Sequence, residues 1–451
     1  MYSTALAMLV LVALAPRTAK AQGQQGSGSP YSAYGFGGLV GSTQVSQALM
    51  SGASVAVYDP FSVIQLNPAS YASLGRPVFE IGTAFRGQEY STDFKLQRGH
   101  RTDMLGLSLG VPFGNGRWGL AFGLNPVSKV GYRISDLRPL GETGNTVRME
   151  YTGNGGLDRA FLGFGHNFIL DRDSLGNGNK LAFGANVNYL FGSVDELRKA
   201  YYPRVNGYVN TAVISTLTMR DPVFSIGGLY QGDVIPRKSR AVQGLRYTVA
   251  ASVEIPATIG AKRSELAYSF VLGGLNVEFP VDTISVSLGQ EGTVTLPPQV
   301  IVGFSLFNDK WAASAEYRIR DWSDLSVDVE GVDLRSDLGQ NAAYIIGGSY
   351  RPAGETRGTF WTSTVYRAGF RYTDDYLVVE GRQLQEIGMS FGMSMPLLGA
   401  TTRSRFNLGA ELGRKGTTED GLIQQRFAHL FIGLSLTPDL REQWFKKRRI
   451  D

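Results

Sequence analysis

From residue 76 onward the chain alternates large apolar residues with small or polar ones at every second position. Trp118, Leu120, Phe122 and Leu124 alternate with Gly119, Ala121 and Gly123, and Leu105, Leu107, Leu109 and Val111 with Gly106, Ser108 and Gly110. Leu181, Phe183, Ala185, Val187 and Tyr189 face off against Asn186 and Asn188, and Ile387, Met389, Phe391 and Met395 against Gly388, Ser390, Gly392 and Ser394. Leu430, Ile432, Leu434 and Leu436 repeat the pattern near the end. A pleated strand sends alternate side chains to opposite faces, so each run predicts a strand with one large apolar face and one small or polar face. About fourteen such strands are expected, at 77–90, 100–113, 116–134, 146–170, 180–197, 208–230, 244–270, 283–307, 311–322, 341–352, 360–375, 383–397, 403–416 and 422–437.

Before residue 76 the pattern is different. Residues 22–33 are rich in Gln, Gly and Ser, and 34–74 carry Gly35, Gly37, Gly38, Gly41, Ala53 and Ala56 among scattered apolar positions, with a short helix predicted over Gln44 to Met50. Such a segment cannot make a core alone and is expected to fold inside something larger. Ala5 to Ala15 is an apolar run of signal-peptide length, and Ala19-Lys20-Ala21 offers small residues for cleavage after Ala21. A short buried helix is the alternative for that run. The expected organisation is a leader over 1–21, an N-terminal extension and hatch over 22–75, a barrel over 76–437 and a basic tail over 438–451.

Composition changes the picture in one respect. Charged residues are 18% against about 25% in soluble domains, yet beyond the leader no run of about 18 apolar residues could form a spanning helix. An all-β, 14-stranded antiparallel transmembrane barrel satisfies both observations, because its strands average out as mildly polar. An even number of strands also returns both ends to one side. A soluble β-sandwich alternates too, but rarely runs so long without a break in composition. Phe113-Gly114-Asn115-Gly116 and Asn308-Asp309-Lys310 read as tight turns, and 137–145 and 324–340 as longer external loops. Two connections on the turn side, near 171–179 and 231–243, are longer than that rule prefers. Tyr90, Trp118, Tyr132, Tyr189, Trp311, Trp322, Trp361, Tyr372 and Tyr376 fall near predicted strand ends, where amphipathic rings sit at lipid headgroups.

Candidate chemistry is sparse. There is no cysteine, and His100, His166 and His429 are widely spaced, so no metal site and no cofactor are expected. The net charge of +5 is spread along the chain except for Lys446 to Arg449, which argues against nucleic acid. No nucleophile-elbow, paired-acid or phosphate-loop context points to an enzyme. Asn67-Pro68-Ala69 predicts a rigid corner, since proline fixes its own backbone and restricts the residue before it. Gly153-Asn154-Gly155-Gly156 lies inside a predicted strand, where a glycine cluster marks a bulge and, in a barrel wall, a candidate lateral opening; a glycine-rich strand without a hole is the alternative. Glu254, Glu316, Arg318, Arg320, Arg367 and Arg371, with Arg405 and Glu411, fall on inward positions. They suit either a ligand head group or a lumenal network holding plug to wall.

Three groups of residues resemble one family. Asn67-Pro68-Ala69 is similar to the signature closing the N-terminal hatch of the FadL/TodX outer-membrane hydrocarbon transporters. Leu296-Pro297-Pro298-Gln299, Asn308-Asp309-Lys310-Trp311 and Arg320-Asp321-Trp322-Ser323 resemble a hairpin of that family. Ser29-Pro30-Tyr31-Ser32, Tyr34-Gly35 and the Gly153 to Leu157 stretch resemble its Bacteroidetes-type branch. The resemblance implies a 14-stranded barrel in a Gram-negative outer membrane, plugged by a hatch, taking up hydrophobic small molecules such as long-chain fatty acids or hydrocarbons through a gap in its wall. Basic residues that would meet a ligand carboxylate have no clear match, and the chain ends on Asp451 rather than an aromatic. Expected partners are a hydrophobic ligand and outer-membrane lipid, with the protein a monomer. Phe36, Leu39, Val55, Phe61 and Leu66 are the expected apolar ligand pocket. The alternative is a barrel that serves as protein partner of a secretion system; a general porin is disfavoured by the plug.

Overall fold

A computed structural model describes residues 28–438 except 43, 93–94, 115, 142–144, 172–177, 204–207, 237–243, 333–336, 355–357 and 398–402. The expected leader, nearly all of the basic tail and most of the two long connections near 171–179 and 231–243 lie outside the described residues. Fourteen antiparallel strands form the wall: β1 (Val78–Ser91), β2 (Leu96–Phe113), β3 (Trp118–Pro139), β4 (Thr146–Ile169), β5 (Lys180–Tyr201) and β6 (Asn210–Ile235). There follow β7 (Leu245–Glu254 with Ala257–Leu272), β8 (Glu278–Leu296 with Gln299–Phe307), β9 (Trp311–Asp321), β10 (Gln340–Tyr350), β11 (Val365–Val379), β12 (Arg382–Pro396), β13 (Arg405–Lys415) and β14 (Gln424–Leu436). Neighbours in sequence pair, and β14 returns to β1 from Gln424 opposite Ser91 to Leu436 opposite Phe79. The barrel is therefore closed, as the alternation predicts. The interruptions of β7 and β8 fall at Pro256 and at Pro297-Pro298, where the missing N–H cannot serve a ladder.

Large apolar side chains form rows on the outside. Phe122, Leu162, Val187 and Phe224 stand in direct register across β3 to β6, and Ile346, Phe370, Met389 and Leu412 across β10 to β13, all of them exposed. An apolar belt of this extent marks an apolar surrounding. Leu105 departs from the expected alternation. A bulge falls between the pairs Gly82–Gly106 and Thr83–Met104, so Leu105 has no opposite number and its side chain turns inward, buried against Val45, Leu49 and Phe431. One inserted residue shifts the two-residue period by one, which swaps the faces.

The aromatic belt also needs correction. Trp311 and Trp361 are exposed at the end that carries Val78 and Leu436, called proximal below. Tyr90, Tyr132, Trp322 and Tyr376 instead point inward at the opposite, distal end and are buried. Trp322 and Tyr376 do so because residues 28–41 lie in the lumen there and give the rings something to pack on: the Tyr376 hydroxyl donates to the Gly37 carbonyl at 2.6 Å, and Phe36 packs on Trp322 with ring centroids 6.1 Å apart.

Residues 44–75 also lie inside the wall, and its small inner face makes room for them. Gly119, Gly165, Gly184 and Gly227 stand in one row across β3 to β6. Against them lies the 3₁₀ helix Pro68–Ser73. A Cβ on Gly119 would come within 1.9 Å of the Tyr71 carbonyl oxygen, one on Gly184 within 2.4 Å of the Pro68 carbonyl carbon, and one on Gly227 within 2.3 Å of Asn67 Oδ1. Only glycine permits a backbone to lie this close to a strand.

Candidate functional site: a split in the wall and the segment that fills it

The inner segment is fixed at its corner and along its length. Asn67 is fully buried; its Oδ1 accepts from the Ala69 N–H at 3.1 Å and its Nδ2 donates to the Val55 carbonyl at 2.8 Å, with Pro68 opening the 3₁₀ helix. Proline suits that position because its N–H would be unused there. Charged groups on the wall complete the attachment. Glu316 of β9 accepts from the N–H groups of Ser54 and Val55, both at 2.7 Å, and is paired with Arg318 at 2.5 Å, which donates in turn to the Gly41 carbonyl at 2.7 Å and to that of Gly52. Glu80 of β1 accepts from Val63 N–H at 2.7 Å and Ser62 Oγ at 3.2 Å. Charge-assisted bonds to backbone N–H are the strong class of hydrogen bond.

Between β2 and β3 the wall comes apart. The two strands pair from Phe113 opposite Trp118 to Leu107 opposite Leu124 and no further among the described residues, although β2 continues to Leu96 beside β1 and β3 to Pro139 beside β4. Two local features end the ladder. The bulge at Leu105 bends β2, and Pro126 of β3 has no N–H to offer.

The free edge of β3 is taken up by the N-terminal segment. The two-residue strand Gly38–Leu39 pairs with Lys129 and Ser128, Val40 N–H donates to the Val127 carbonyl at 2.9 Å, and Gly131 N–H donates to Ser32 Oγ at 3.1 Å. Tyr31 ties the same segment to the far side of the mouth: its hydroxyl donates to the Ile423 carbonyl at 2.6 Å and accepts from Ile423 N–H at 3.0 Å. Burial holds the Tyr31 phenol above its ordinary pKa and so keeps it a donor. Behind the split lies a cavity of about 220 Å³ bordered by Leu39, Arg101, Leu105 and Lys129, and on its far wall by Arg371, Glu386 and Glu411. Arg371 is held by Glu386 at 2.6 Å and Glu411 at 2.9 Å, and Arg101 by Asp103 at 2.8 Å. The chamber is mixed, its charged groups interleaved with apolar ones: Leu39 and Leu105 where it meets the split, and Ile345, Leu377 and Phe431 elsewhere.

The residues expected to act are distributed as follows. Glu316 and Arg318 meet the inner segment as described, Arg367 pairs with Asp59 at 3.1 Å, and Arg371 reaches the Ser51 carbonyl at 3.4 Å. Glu254 bridges Arg159, at 2.7 Å, and Arg320 across the lumen. Gly153 to Gly156 are paired with β3 on one side and β5 on the other, so the ladder is continuous there. They sit directly across β3 from the Gly38–Leu39 insertion, one strand away from the split. Gly153 is instead a packing site, since a Cβ on it would come within 2.1 Å of the Tyr132 ring. The five residues expected to line one apolar pocket are dispersed. Phe36 packs at the distal mouth, Val55 belongs to a filled cluster against which Leu66 packs, Phe61 lies at the proximal mouth under Arg403, and only Leu39 and Leu66 share a small cavity of about 70 Å³. Missed in the sequence were Leu105, Gly106, Pro126 and Tyr31; the visible signal was a proline within an otherwise unbroken strand pattern.

Three solved structures share the fold over most of the chain. They are the CymD monoaromatic hydrocarbon channel (11% identity, 91% of this chain and 100% of that one, TM-score 0.51) and the Ralstonia pickettii toluene transporter TbuX (13%, 87% and 98%, 0.51). The third is a Pseudomonas aeruginosa FadL homologue (12%, 89% and 99%, 0.52). At such identities the likeness is one of architecture. No curated protein sequence is significantly similar to the chain. The family model described as BamG matches residues 5–451, and the chain belongs to that family.

Proposed function

We propose that this barrel sits in the outer membrane of a Gram-negative bacterium of the Bacteroidetes type, proximal end in the periplasm, and admits amphipathic hydrophobic molecules sideways through the β2–β3 split. The observation that carries this reading is the end of β2–β3 pairing at Leu107–Leu124 in front of a lumenal cavity. A barrel strand left unpaired within a bilayer exposes backbone groups that lipid cannot satisfy, so such a gap has to be filled or used. Here the segment 28–41 fills it, as a closed gate, while residues 44–75 act as the fixed hatch. The architecture shared with hydrocarbon channels supports the same reading. The charged groups of the chamber narrow the ligand to one with a polar head, such as a long-chain fatty acid, whose carboxylate would compete with Asp103 for Arg101 and with Asp158 for Lys129 near the split. The chain has no cysteine, so a pair placed at the register partners Leu39 and Ser128 would form a unique lock between gate and wall. Oxidation of Leu39→Cys/Ser128→Cys should abolish uptake of a fluorescent fatty acid into proteoliposomes, and reduction should restore it. Unchanged uptake with the lock formed would reject the gate.

A second reading, a protein partner, is favoured by one observation. The distal part of β8 pairs with β7 on one side, but its other edge takes only the short strand Ser326–Asp328, at Thr293 to Thr295, leaving Glu278 to Gly292 open among the described residues. Phe279, Val281, Ile284, Val286 and Leu288 are 53–74% exposed there, separated from the outer belt by the Lys262–Glu291 ion pair at 2.6 Å. An open apolar edge is a template for an added strand, so the partner would contribute an extended, apolar-alternating segment. Ile284→Lys with Val286→Lys should strip a stoichiometric protein from the native membrane extract while leaving fatty-acid uptake intact. A protein that is monomeric in that extract counts against this reading.

A further inference from the structure

We propose that the proximal mouth of the barrel is a binding site for a phosphate group. The cavity there, about 540 Å³, is bordered by six cationic side chains against three carboxylates. Two of the carboxylates are already engaged, Asp233 by Arg246 at 2.7 Å and Asp59 by Arg367 at 3.1 Å. Arg403 lies over the Phe61 ring, its guanidinium carbon 5.7 Å from the centroid. Arg405, the first residue of β13, is half-buried; Asp59 is the strongest single charge acting on it, and Arg367, Arg351 and Arg403 each act in the opposite sense. Neither Arg403 nor Arg405 has a carboxylate in contact among the described residues.

Guanidinium groups brought together out of bulk water repel one another, and of the four at this mouth Arg367 is paired with Asp59 while Arg403 and Arg405 have no such carboxylate among the described residues. A multiply charged anion removes that cost. Phosphate fits better than carboxylate because it carries up to two charges and offers three oxygens to planar, bidentate donors. The site is unrelated to the split, which lies on the other half of the lumen, and no step of the proposed uptake uses it. Two sources could supply the group: free phosphate, or the head of a phospholipid, for which exposed Trp311 beside Lys310 makes an interfacial rim. The lipid source rests on the membrane placement proposed above, whereas free phosphate does not.

The test uses the whole protein in detergent. Inorganic phosphate is titrated calorimetrically into the parent chain, into Arg403→Gln/Arg405→Gln, and into Arg382→Gln as a distal control, with acetate as competing anion. The double variant should bind phosphate at least about tenfold more weakly, with the control unchanged and acetate ineffective. Thermal unfolding guards against a folding defect: the double variant should be at least as stable as the parent without phosphate, because a repulsion has been removed. In the lipid arm, native mass spectrometry follows phosphatidylglycerol adducts. An adduct lost in the double variant, with free phosphate binding weak in the parent, would assign the site to a lipid head. Phosphate and phosphatidylglycerol binding that both ignore the two arginines would overturn the proposal.

Discussion

Two stretches of the inner chain, 44–75 and 28–41, occupy the same lumen by different means. The first is fitted into the wall: its backbone lies on a row of glycines, its turns are capped by wall carboxylates, and Asn67, Val55, Val63 and Tyr71 are essentially inaccessible. The second rests against an edge. It borrows three or four backbone positions of β3 and is held elsewhere mainly by neutral hydroxyls of Tyr31, Ser32 and Tyr376, with one charge-assisted bond, from Arg318 to the Gly41 carbonyl, at the end where it joins the first. A neutral hydrogen bond contributes about 1 kcal/mol net, whereas stranding one member of a buried ion pair costs about 3–5 kcal/mol. On the proposed function, this difference is what would separate a fixed hatch from a gate.

The largest effect should follow from Glu316→Ala. It leaves Arg318 without its carboxylate and the N–H groups of Ser54 and Val55 without an acceptor, so barrel stability should fall by about 3–5 kcal/mol, read from thermal unfolding in detergent. A variant as stable as the parent would erase the distinction between the two stretches. Next comes Gly184→Val, whose Cβ would stand 2.4 Å from the Pro68 carbonyl carbon. Backbone cannot yield there as a flexible side chain would, and a loss of about 1–3 kcal/mol or more is expected, with release of residues 64–75 to protease.

How much of this was legible in the sequence follows the same division. The wall is readable because a two-residue period survives noise in single positions, and the small inner face is visible as Gly119, Gly123 and Gly388 beside large neighbours. Inward charges such as Glu316 and Arg371 could be placed on the lumenal face by parity alone. Their partners could not, because Ser54 and Ser51 lie hundreds of residues away and only closure of the barrel brings them near. Gly153 to Gly156 read as a candidate opening because a glycine cluster marks a bulge or a close approach without saying which. Here the close approach is to the ring of Tyr132, and the ladder ends one strand away, where Leu105 breaks the parity and Pro126 lacks a donor.

Smaller effects are expected in residues 28–41. Tyr376→Phe removes the bond to the Gly37 carbonyl, worth about 1 kcal/mol, and should raise hydrogen exchange of residues 34–40 by about fivefold while leaving the unfolding temperature nearly unchanged. Equal acceleration in residues 62–71 would show the two stretches to be one cooperative unit.

The smallest effect is one of pH, and it isolates the contact at Tyr31. Burial raises this phenol's pKa from its ordinary value of 10.0, opposed by the Ile423 N–H that donates to its oxygen and by Lys415, with Tyr34 acting in the same direction as burial. A proton held more tightly in the folded segment than in the free one stabilises the bound state. That contribution is fully present below the free value, near pH 10, and is lost as pH rises through the higher folded one. Protection of residues 29–33 should therefore fall above about pH 10, ahead of any change in residues 44–75. Tyr31→Phe should lower protection of 29–33 at neutral pH and flatten its dependence on alkali. A dependence that survives the substitution would mean that another group, and not the tie between the N-terminal segment and β14, governs the alkaline loss of protection.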